Sequence, residues 1–310
     1  MKPGSALSTR VEDYQWVAQR CPICEVPPTR RLGRRGGAAH RDRLGVECEV
    51  WRCGCCGLIF PDPMPLPSGG SEQHYGMPAD DYFSQHDPAA KERGNAAVLR
   101  RAAELTGARG RLLDVGAGRG ELLRMARDSG WSAIGIEPSP GFADYAASHS
   151  GAEVRRQTLE RCGFAADTFD AVMLAGVLEH VYDPDSTMGE IARILRPGGA
   201  LILDLPNEEG LYFRLGNLYQ RLRRRDWVVN LSPTFPPFHT FGFSPRSLHR
   251  LLVKHGLRPV ACRTYGGRSM LPRAAGATGA LEWLGAHGVT LLSKLGPLGT
   301  MIDAWAIKAA

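Results

Sequence analysis

The sequence predicts an α/β protein in which a small, metal-bound N-terminal unit precedes a doubly wound sheet of seven strands. From residue 91 onward, short apolar runs alternate with helix-like segments, which is typical of a parallel sheet with helices on both faces. Six of the eight cysteines lie between Cys21 and Cys56, which indicates a separate metal-binding unit. We therefore expect an N-terminal unit over residues 1–62, a linker over 63–90 and the α/β domain over 91–310.

The composition is that of an ordinary globular protein and excludes several classes. Hydrophobic residues make up 43% and charged residues 23%, which excludes disordered, collagen-like and coiled-coil chains. No run approaches the ~20 apolar residues of a membrane-spanning helix, and the N-terminus lacks the apolar core of an export signal, so we expect a cytoplasmic protein. The net charge of +6 allows an anionic partner without requiring one.

Two C-x-x-C pairs define the N-terminal unit, and 28 residues separate them. One tight turn within each pair brings two sulfurs to a single ion, and four thiolates complete a tetrahedral zinc site with no open position. The predicted ligands of a structural Zn²⁺ are Cys21, Cys24, Cys53 and Cys56. Free thiols and a disulfide form are the alternatives.

Local signals place the elements of the α/β domain. Ser139-Pro140 and Ser244-Pro245 are typical helix starts, and Gly256 is a typical helix end. In chain order we predict helix 91–106, strand 111–115, helix 121–129, strand 133–136, helix 139–148, strand 152–157, strand 169–177, helix 185–195, strand 201–205, helix 244–255, strand 257–265 and strand 301–307. Insertions at 207–243 and 267–299 interrupt the alternation and are predicted to cover an acceptor site.

The glycine-rich turn after the first of these strands is the strongest functional signal. A buried strand ends in Asp114-Val115, and the turn Gly116-Ala117-Gly118-Arg119-Gly120 leads into a helix. Glycines permit the close approach of a ligand, and the helix start offers free N–H groups. Glu137 ends the next strand, where a carboxylate can accept hydrogen bonds from both hydroxyls of a ribose. The pattern predicts a nucleotide site, although its spacing differs from the G-x-G-x-x-G of nicotinamide enzymes.

Three segments together resemble the class I S-adenosylmethionine (SAM)-dependent methyltransferases. They are Asp114 to Gly120, Phe169-Asp170-Ala171-Val172 with Val177-Leu178-Glu179-His180, and Arg193 to Leu201 with its Pro-Gly-Gly. The resemblance covers roughly residues 91–310 and implies a Rossmann-like fold that binds SAM. The cysteine segment, followed by a tyrosine-rich link, resembles the zinc-ribbon head of a methyltransferase subgroup in bacterial glycan and natural-product pathways.

The resemblance implies a role for each residue of the cofactor site. The methionine end of SAM would be lined by Asp114, Gly116, Ala117 and Gly118, and the ribose would be held by Glu137. The adenine would be enclosed by Thr158 and Leu159, and Ala175 would lie beside the reacting methyl group.

Transfer to a hydroxyl calls for a general base, and neutral histidine suits this role near pH 7. His180 and His239 are the predicted catalytic residues, with His74 as a further candidate. Each could instead brace a loop. In the similar ubiquinone-type O-methyltransferases a Glu-x-x-Glu-His stretch can hold a divalent metal, but Gly176 replaces the first acid here. This difference favours a histidine base over a metal.

The predicted function is O-methylation of a hydroxyl on a sugar, glycolipid or natural product, with a small-molecule or glycan acceptor and a possible homodimer. A sugar C-methyltransferase, an RNA methyltransferase with a zinc-ribbon reader and a non-catalytic scaffold are the alternatives. The arginine-rich stretch 30–43 favours RNA, but the strand that ends at Ala175-Gly176 lacks the motif of base-amine methylation, so nucleic acid is not the expected partner.

Two further segments have interpretations that the function does not decide. A basic cluster predicts a solvated basic helix face or an anion contact; its members are Arg221, Arg223, Arg224 and Arg225. The stretch 281–295 predicts a lid, a dimer contact or a membrane-surface helix.

Overall fold

The computed structural model describes residues 13–40, 43–68, 88–232, 238–266, 288 and 298–309. The candidate base His74, the tyrosine-rich link and the amphipathic stretch 281–295 lie outside these residues, apart from Gly288.

The strands are β1 (Tyr14–Val17), β2 (Arg30–Arg35), β3 (Cys48–Arg52), β4 (Ile59–Pro61), β5 (Met64–Pro67), β6 (Arg111–Val115), β7 (Ser132–Ile136), β8 (Glu153–Arg155), β9 (Phe169–Ala175), β10 (Leu195–Pro206), β11 (Leu257–Tyr265) and β12 (Met301–Lys308). The helices are α1 (Pro88–Thr106), α2 (Glu121–Asp128), α3 (Pro140–Ser150), α4 (Pro184–Ile194), α5 (Leu211–Leu222) and α6 (Pro245–Lys254).

The main sheet has seven strands in the order β11-β12-β10-β9-β6-β7-β8, which confirms the predicted doubly wound α/β fold. Strands β6 to β10 pair in parallel, whereas β12 is antiparallel to both of its neighbours. Two apolar clusters cover the two faces of this sheet, as expected for a parallel sheet flanked by helices. Among the described residues, no helix combines the length and apolar character that a membrane crossing needs.

The helix starts follow their predicted signals. Ser244 forms a capping box with Ser247 at the start of α6, and Pro245 occupies the first turn. The side chain of Asp183 accepts a hydrogen bond from Ser186 N at the start of α4. These side chains satisfy backbone donors that a helix leaves free at its first turn.

Two elements differ from the sequence prediction. β10 begins at Leu195, earlier than the predicted strand at 201, and Pro197-Gly198-Gly199 lies in the irregular pairing between Leu195 and Ala200. The motif therefore bends the strand rather than preceding it. The insertion at 207–243 contains α5, which was not among the predicted elements, although a basic helix face was one interpretation of the arginines at its end.

The N-terminal unit has two small sheets, β1-β5 and β2-β3-β4. The arginine-rich stretch begins with strand β2, and Arg35 on this strand is only 2% exposed. Its guanidinium donates hydrogen bonds to Cys48 Sγ at 3.1 Å and to the Leu231 carbonyl at 3.4 Å. Local sequence does not show this burial, because it depends on a contact with the 207–243 segment.

The N-terminal unit and the main sheet share one apolar core. The buried cluster joins Cys21, Leu58 and Phe60 to residues of α6 and its approach segment. Phe60 and Phe241 pack with ring centroids 6.0 Å apart. Backbone hydrogen bonds join Ile59 and Gly242 in both directions, at 3.0 and 2.7 Å. The unit is therefore packed into the larger sheet's core.

We expect Leu251→Ala to lower the free energy of unfolding by about 2–5 kcal/mol, because it leaves a cavity in this shared core. Leu251 on α6 is fully buried. The matched control Val253→Ala, on the same helix, removes a side chain that is 53% exposed and should change stability by only about 0.5 kcal/mol. Urea unfolding followed by circular dichroism measures both; equal losses would contradict the packing described here.

Candidate active site and cysteine cluster

Three neighbouring strands end together at one edge of the main sheet. Strand β6 pairs with β7 and β9 in a register that aligns their carboxyl ends at Val115. Because these strands are parallel, Gly116, Glu137 and Ala175 lie side by side at this edge. Asp204 of β10 extends the row beside Ala175. The strand order reverses between β6 and β9, which is where doubly wound sheets bind their ligands.

The glycine turn and Glu137 are connected directly. The N–H of Gly118 donates to Glu137 Oε2 at 3.1 Å, and the N–H of Ser139 donates to Oε1 at 3.0 Å. Gly116 has φ +76°, and a side chain there would collide with Val177. Burial raises the pKa of Glu137, and the two backbone N–H groups oppose that rise. Each carboxylate oxygen keeps a lone pair for a further donor.

The remaining predicted cofactor residues differ in accessibility. Asp114 and Ala117 are buried next to the turn, whereas Ala175 is exposed at the end of a strand whose other residues are all buried. Thr158 is half-buried and directly precedes a short 3₁₀ helix. The side chain of Leu159 is 3% exposed and belongs to the apolar core. Contact of Thr158 and Leu159 with an adenine ring stays a prediction.

The two predicted base residues lie in contact. His180 follows β9 and His239 comes from the 207–243 insertion, yet their rings are 4.9 Å apart and edge-on. With Glu179 they form a group whose ligand atoms all lie within 4.8 Å of one another. His180 Nδ1 is 3.2 Å from the carbonyl of Phe238, so this nitrogen is the donor in a neutral imidazole and Nε2 is the acceptor.

Buried carboxylates surround the histidines. His239 Nδ1 is 3.7 Å from Glu208 Oε1, and Asn230 Nδ2 donates to Glu208 Oε2 at 2.8 Å. Burial raises the pKa of Glu179 to about 7, opposed by the charge of His239 and reinforced by Asp204 and Glu208. Glu179 Oε2 and His239 Nδ1 are buried and have no hydrogen-bond partner among the described residues.

Sequence reasoning missed Glu208 and the pair Asp204–Tyr265. Burial raises the pKa of Asp204 to about 6, although the Tyr265 hydroxyl donates to its carboxylate at 2.8 Å. Both acids lie at or just beyond the carboxyl end of β10, beside the edge formed by β6 and β9. Their position at the end of a predicted strand (Asp204) or shortly after it (Glu208) was the available signal, because the carboxyl ends of parallel strands meet at one edge.

The structure brings together the four cysteines predicted to bind zinc. Their sulfurs lie within 4.8 Å of one another, and Cys21 Sγ is 3.5 Å from Cys56 Sγ. A tetrahedral site with Zn–S distances of ~2.3 Å requires sulfurs about 3.8 Å apart, so the cluster has a suitable size. Burial raises the pKa of the Cys24 thiol to about 11, with added contributions from Cys56 and Cys53. A bound cation would reverse this effect because it binds the thiolate.

Helix α6 directs three basic side chains at the cysteine knuckles. Arg246 donates to the Cys55 carbonyl at 2.7 Å, and Lys254 donates to the Pro22 carbonyl at 3.1 Å. Between them, Arg250 Nη1 lies 3.9 Å from Cys24 Sγ. Four thiolates around a divalent cation carry a net negative charge, which these basic groups would stabilise.

This chain is similar to a methyltransferase family model, to curated O-methyltransferases and to a solved methyltransferase structure. Residues 88–261, more than half of the 310, match a family model described as a methyltransferase domain. A ubiquinone biosynthesis O-methyltransferase of Cereibacter sphaeroides is 30% identical over 185 residues, which cover 58% of this chain and 70% of the relative. The human mitochondrial ubiquinone biosynthesis O-methyltransferase is 28% identical over 156 residues, covering 47% and 41% of the two chains. A solved SAM-dependent methyltransferase from Archaeoglobus fulgidus has a TM-score of 0.50 at 18% identity, covering 74% of this chain and 97% of that one.

The family match and the seven-stranded sheet agree with the resemblance drawn from the sequence motifs. The Archaeoglobus structure indicates the same fold. The chain therefore belongs to the methyltransferase-domain family, and it is a class I SAM-dependent methyltransferase.

Proposed function

We propose that this enzyme transfers the methyl group of SAM to a hydroxyl of a sugar, glycolipid or natural-product acceptor. The observation that carries the proposal is the contact between His180 and His239 next to buried Glu179, close to the carboxyl edge of the sheet. The relatives named as ubiquinone biosynthesis O-methyltransferases support transfer to oxygen. A hydroxyl must lose a proton as it is methylated, so a base in this position fits an O-methyltransferase.

The proposed SAM site follows the carboxyl edge. Asp114, Gly116, Ala117 and Gly118 would surround the methionine end, and Glu137 would accept the ribose hydroxyls on its remaining lone pairs. Thr158 and Leu159 would enclose the adenine, with Ala175 beside the methyl group. The fit rests on a turn in which a side chain at Gly116 would collide with Val177, and on the exposed strand end at Ala175. When bound, SAM supplies a methyl group already activated on a sulfonium.

In the proposed mechanism His239 removes the acceptor proton. Glu208, 3.7 Å from His239 Nδ1, would orient the ring and stabilise the imidazolium that forms. His180 packs edge-on against the same ring and would hold it in place. The insertion at 207–243 would exclude water and position the hydroxyl behind the methyl carbon, since an in-line displacement depends mainly on alignment.

A divalent cation at Glu179, His180 and His239 is the second candidate for activating the hydroxyl. Glu179 Oε2 and His239 Nδ1, which are buried and lack a hydrogen bond to any described residue, favour it, because carboxylate and imidazole together suit several divalent metals. His239 would then replace the acid that Gly176 removes from the ubiquinone-type motif. A cation there would lower the pKa of a bound hydroxyl.

We expect His239→Ala to lower kcat by about 10²–10⁴-fold and to leave SAM affinity unchanged, because only the proton acceptor is lost. His249→Ala, at an exposed histidine on α6, is the matched control. Initial rates of methyl transfer to a hydroxyl acceptor measure the effect. Wild-type rates for both His239→Ala and His180→Ala would rule out either histidine as the base. Loss of activity after chelation, with recovery on adding Mg²⁺ or Mn²⁺, would support the cation instead.

We expect Glu137→Gln to weaken SAM binding by about 1–3 kcal/mol, because an amide offers only one acceptor oxygen in place of a charged carboxylate. Glu153→Gln is the matched control, since Glu153 lies on the neighbouring strand β8 and is exposed. Calorimetric titration with SAM gives both affinities. If Glu137→Gln binds SAM as tightly as the control, the ribose contact is wrong.

We also propose that Cys21, Cys24, Cys53 and Cys56 hold a structural zinc and form the zinc-ribbon head of the glycan and natural-product subgroup. The clustered sulfurs and the basic groups of α6 support this assignment. Four protein ligands leave no coordination position for a substrate, so the ion would stabilise the N-terminal unit.

Tag-free protein should contain about one zinc per chain, since four cysteines complete one tetrahedral site. Cys53→Ser should lose the metal and lower the melting temperature. Cys55→Ser is the matched control, because Cys55 is exposed and lies outside the cluster. Elemental analysis of the purified variants measures the metal. Wild-type protein without zinc, or equal zinc in both variants, would refute the site.

A further inference from the structure

A charged cleft of about 270 Å³ lies between the N-terminal unit and α5. Four arginines line it: Arg30 and Arg52 from the N-terminal unit, and Arg214 and Arg221 from the helix. We call it the arginine cleft. It is separate from the glycine turn and from the cysteine cluster, and no step of the mechanism proposed above uses these arginines.

The two arginines of the N-terminal unit lie opposite each other on paired strands, and their like charges destabilise this pairing. Arg30 on β2 is the direct cross-strand partner of Arg52 on β3. Like charges opposite each other destabilise an antiparallel pair, so this pairing is unfavourable unless an anion lies between the two guanidinium groups. Arg214 and Arg221 add two further positive charges to the lining of the same cleft. These arginines therefore create a strong local positive potential.

The helix supplies the facing wall. Arg214, Asn217 and Arg221 are spaced three and then four residues apart, which places them on one face of α5. Asn217 holds the helix against a later part of the same insertion, donating to Asn230 Oδ1 at 2.6 Å and accepting from Val229 N at 2.9 Å. The wall is therefore fixed by hydrogen bonds before any ligand binds.

The charges of the cleft are not balanced by its acids. Glu209 pairs with Arg52 and lies 4.0 Å from Arg214. Within the described part of the chain, the guanidinium groups of Arg30 and Arg221 have no hydrogen bond or ion pair, and both residues are exposed. Two guanidinium groups thus remain available to a ligand, and arginine recognises phosphate through paired N–H donors.

The floor of the cleft adjoins the proposed base. Glu208 and Asn230 line the cleft, and they are linked by a 2.8 Å hydrogen bond. The other oxygen of the Glu208 carboxylate is 3.7 Å from His239. One acceptor molecule could therefore place an anionic group among the arginines and a hydroxyl near His239.

We propose that the arginine cleft binds a phosphate or diphosphate group carried by the methyl acceptor. The inference rests on the O-methyltransferase function proposed above and narrows its substrate class to phosphorylated acceptors, such as nucleotide-linked or lipid-linked sugars. Phosphate oxygens would bridge Arg30 and Arg52 from one side and accept from Arg214 and Arg221 on the other.

Inorganic pyrophosphate, titrated into the full chain by calorimetry without SAM, tests the cleft directly. Arg30→Gln and Arg221→Gln should each weaken its binding at least about 10-fold, because each removes a charged donor. Arg225→Gln, beyond the end of α5 and outside the cleft, makes the same charge change and should bind normally. Without ligand, Arg30→Gln should melt no lower than wild type, since it relieves the opposition with Arg52. Pyrophosphate should raise the melting temperature of wild type but not of Arg30→Gln.

The outcomes separate this inference from the function on which it rests. Absence of pyrophosphate binding at millimolar concentration, or equal losses in Arg30→Gln and Arg225→Gln, would overturn the cleft assignment even if methyl transfer to oxygen is found. Pyrophosphate binding together with transfer to carbon or nitrogen would overturn the O-methyltransferase proposal alone. Uridine diphosphate and farnesyl diphosphate distinguish the source of the phosphate: tighter binding of the first supports a nucleotide-linked acceptor, and of the second a lipid-linked one.

Discussion

The register of the parallel strands is the constraint from which the rest of the site follows. Because β7, β6 and β9 are aligned at their carboxyl ends, the residues after each strand meet at one edge whatever their distance in sequence. Glu137 can therefore accept a hydrogen bond from the Gly118 N–H, 19 positions earlier in the chain. A slip of one residue in any of these strands would reverse its side chains and separate this pair.

The N-terminal unit influences the site through the segment 239–242, which is hydrogen-bonded both to this unit and to the loop after β9. Gly242 pairs with Ile59 of β4, and Thr240 N donates to the Glu179 carbonyl at 2.7 Å. His239 lies immediately before these two hydrogen-bonded residues, Thr240 and Gly242, so its position depends on both the N-terminal unit and the loop after β9. A metal that stabilises this unit would thus act on the proposed base through backbone hydrogen bonds, without contacting substrate.

The sequence predicted the seven strands and the residues of the glycine turn because these depend on local chemistry. Each of these features is defined by a few neighbouring residues: the helix start by Ser244-Pro245, the turn by Gly116 and the glycines after it, and the metal ligands by the two C-x-x-C pairs. The contact between His180 and His239 was not predictable, since it joins the loop after β9 to an insertion 59 positions later. The burial of Arg35 and the pairing of Arg30 with Arg52 were missed for the same reason: both depend on which segments pack together.

Three acidic side chains are buried close to the carboxyl edge of the sheet. Glu179 follows β9, Asp204 lies near the carboxyl end of β10 and Glu208 lies just beyond it, and burial raises the pKa of the first two. An apolar residue would fill such positions at lower cost, because a buried carboxylate without full hydrogen bonding destabilises the fold. Perturbed acids of this kind cluster at functional sites. Of the three acids, Glu208 also lines the arginine cleft. The proposed transfer chemistry and the proposed phosphate site would therefore share this carboxylate.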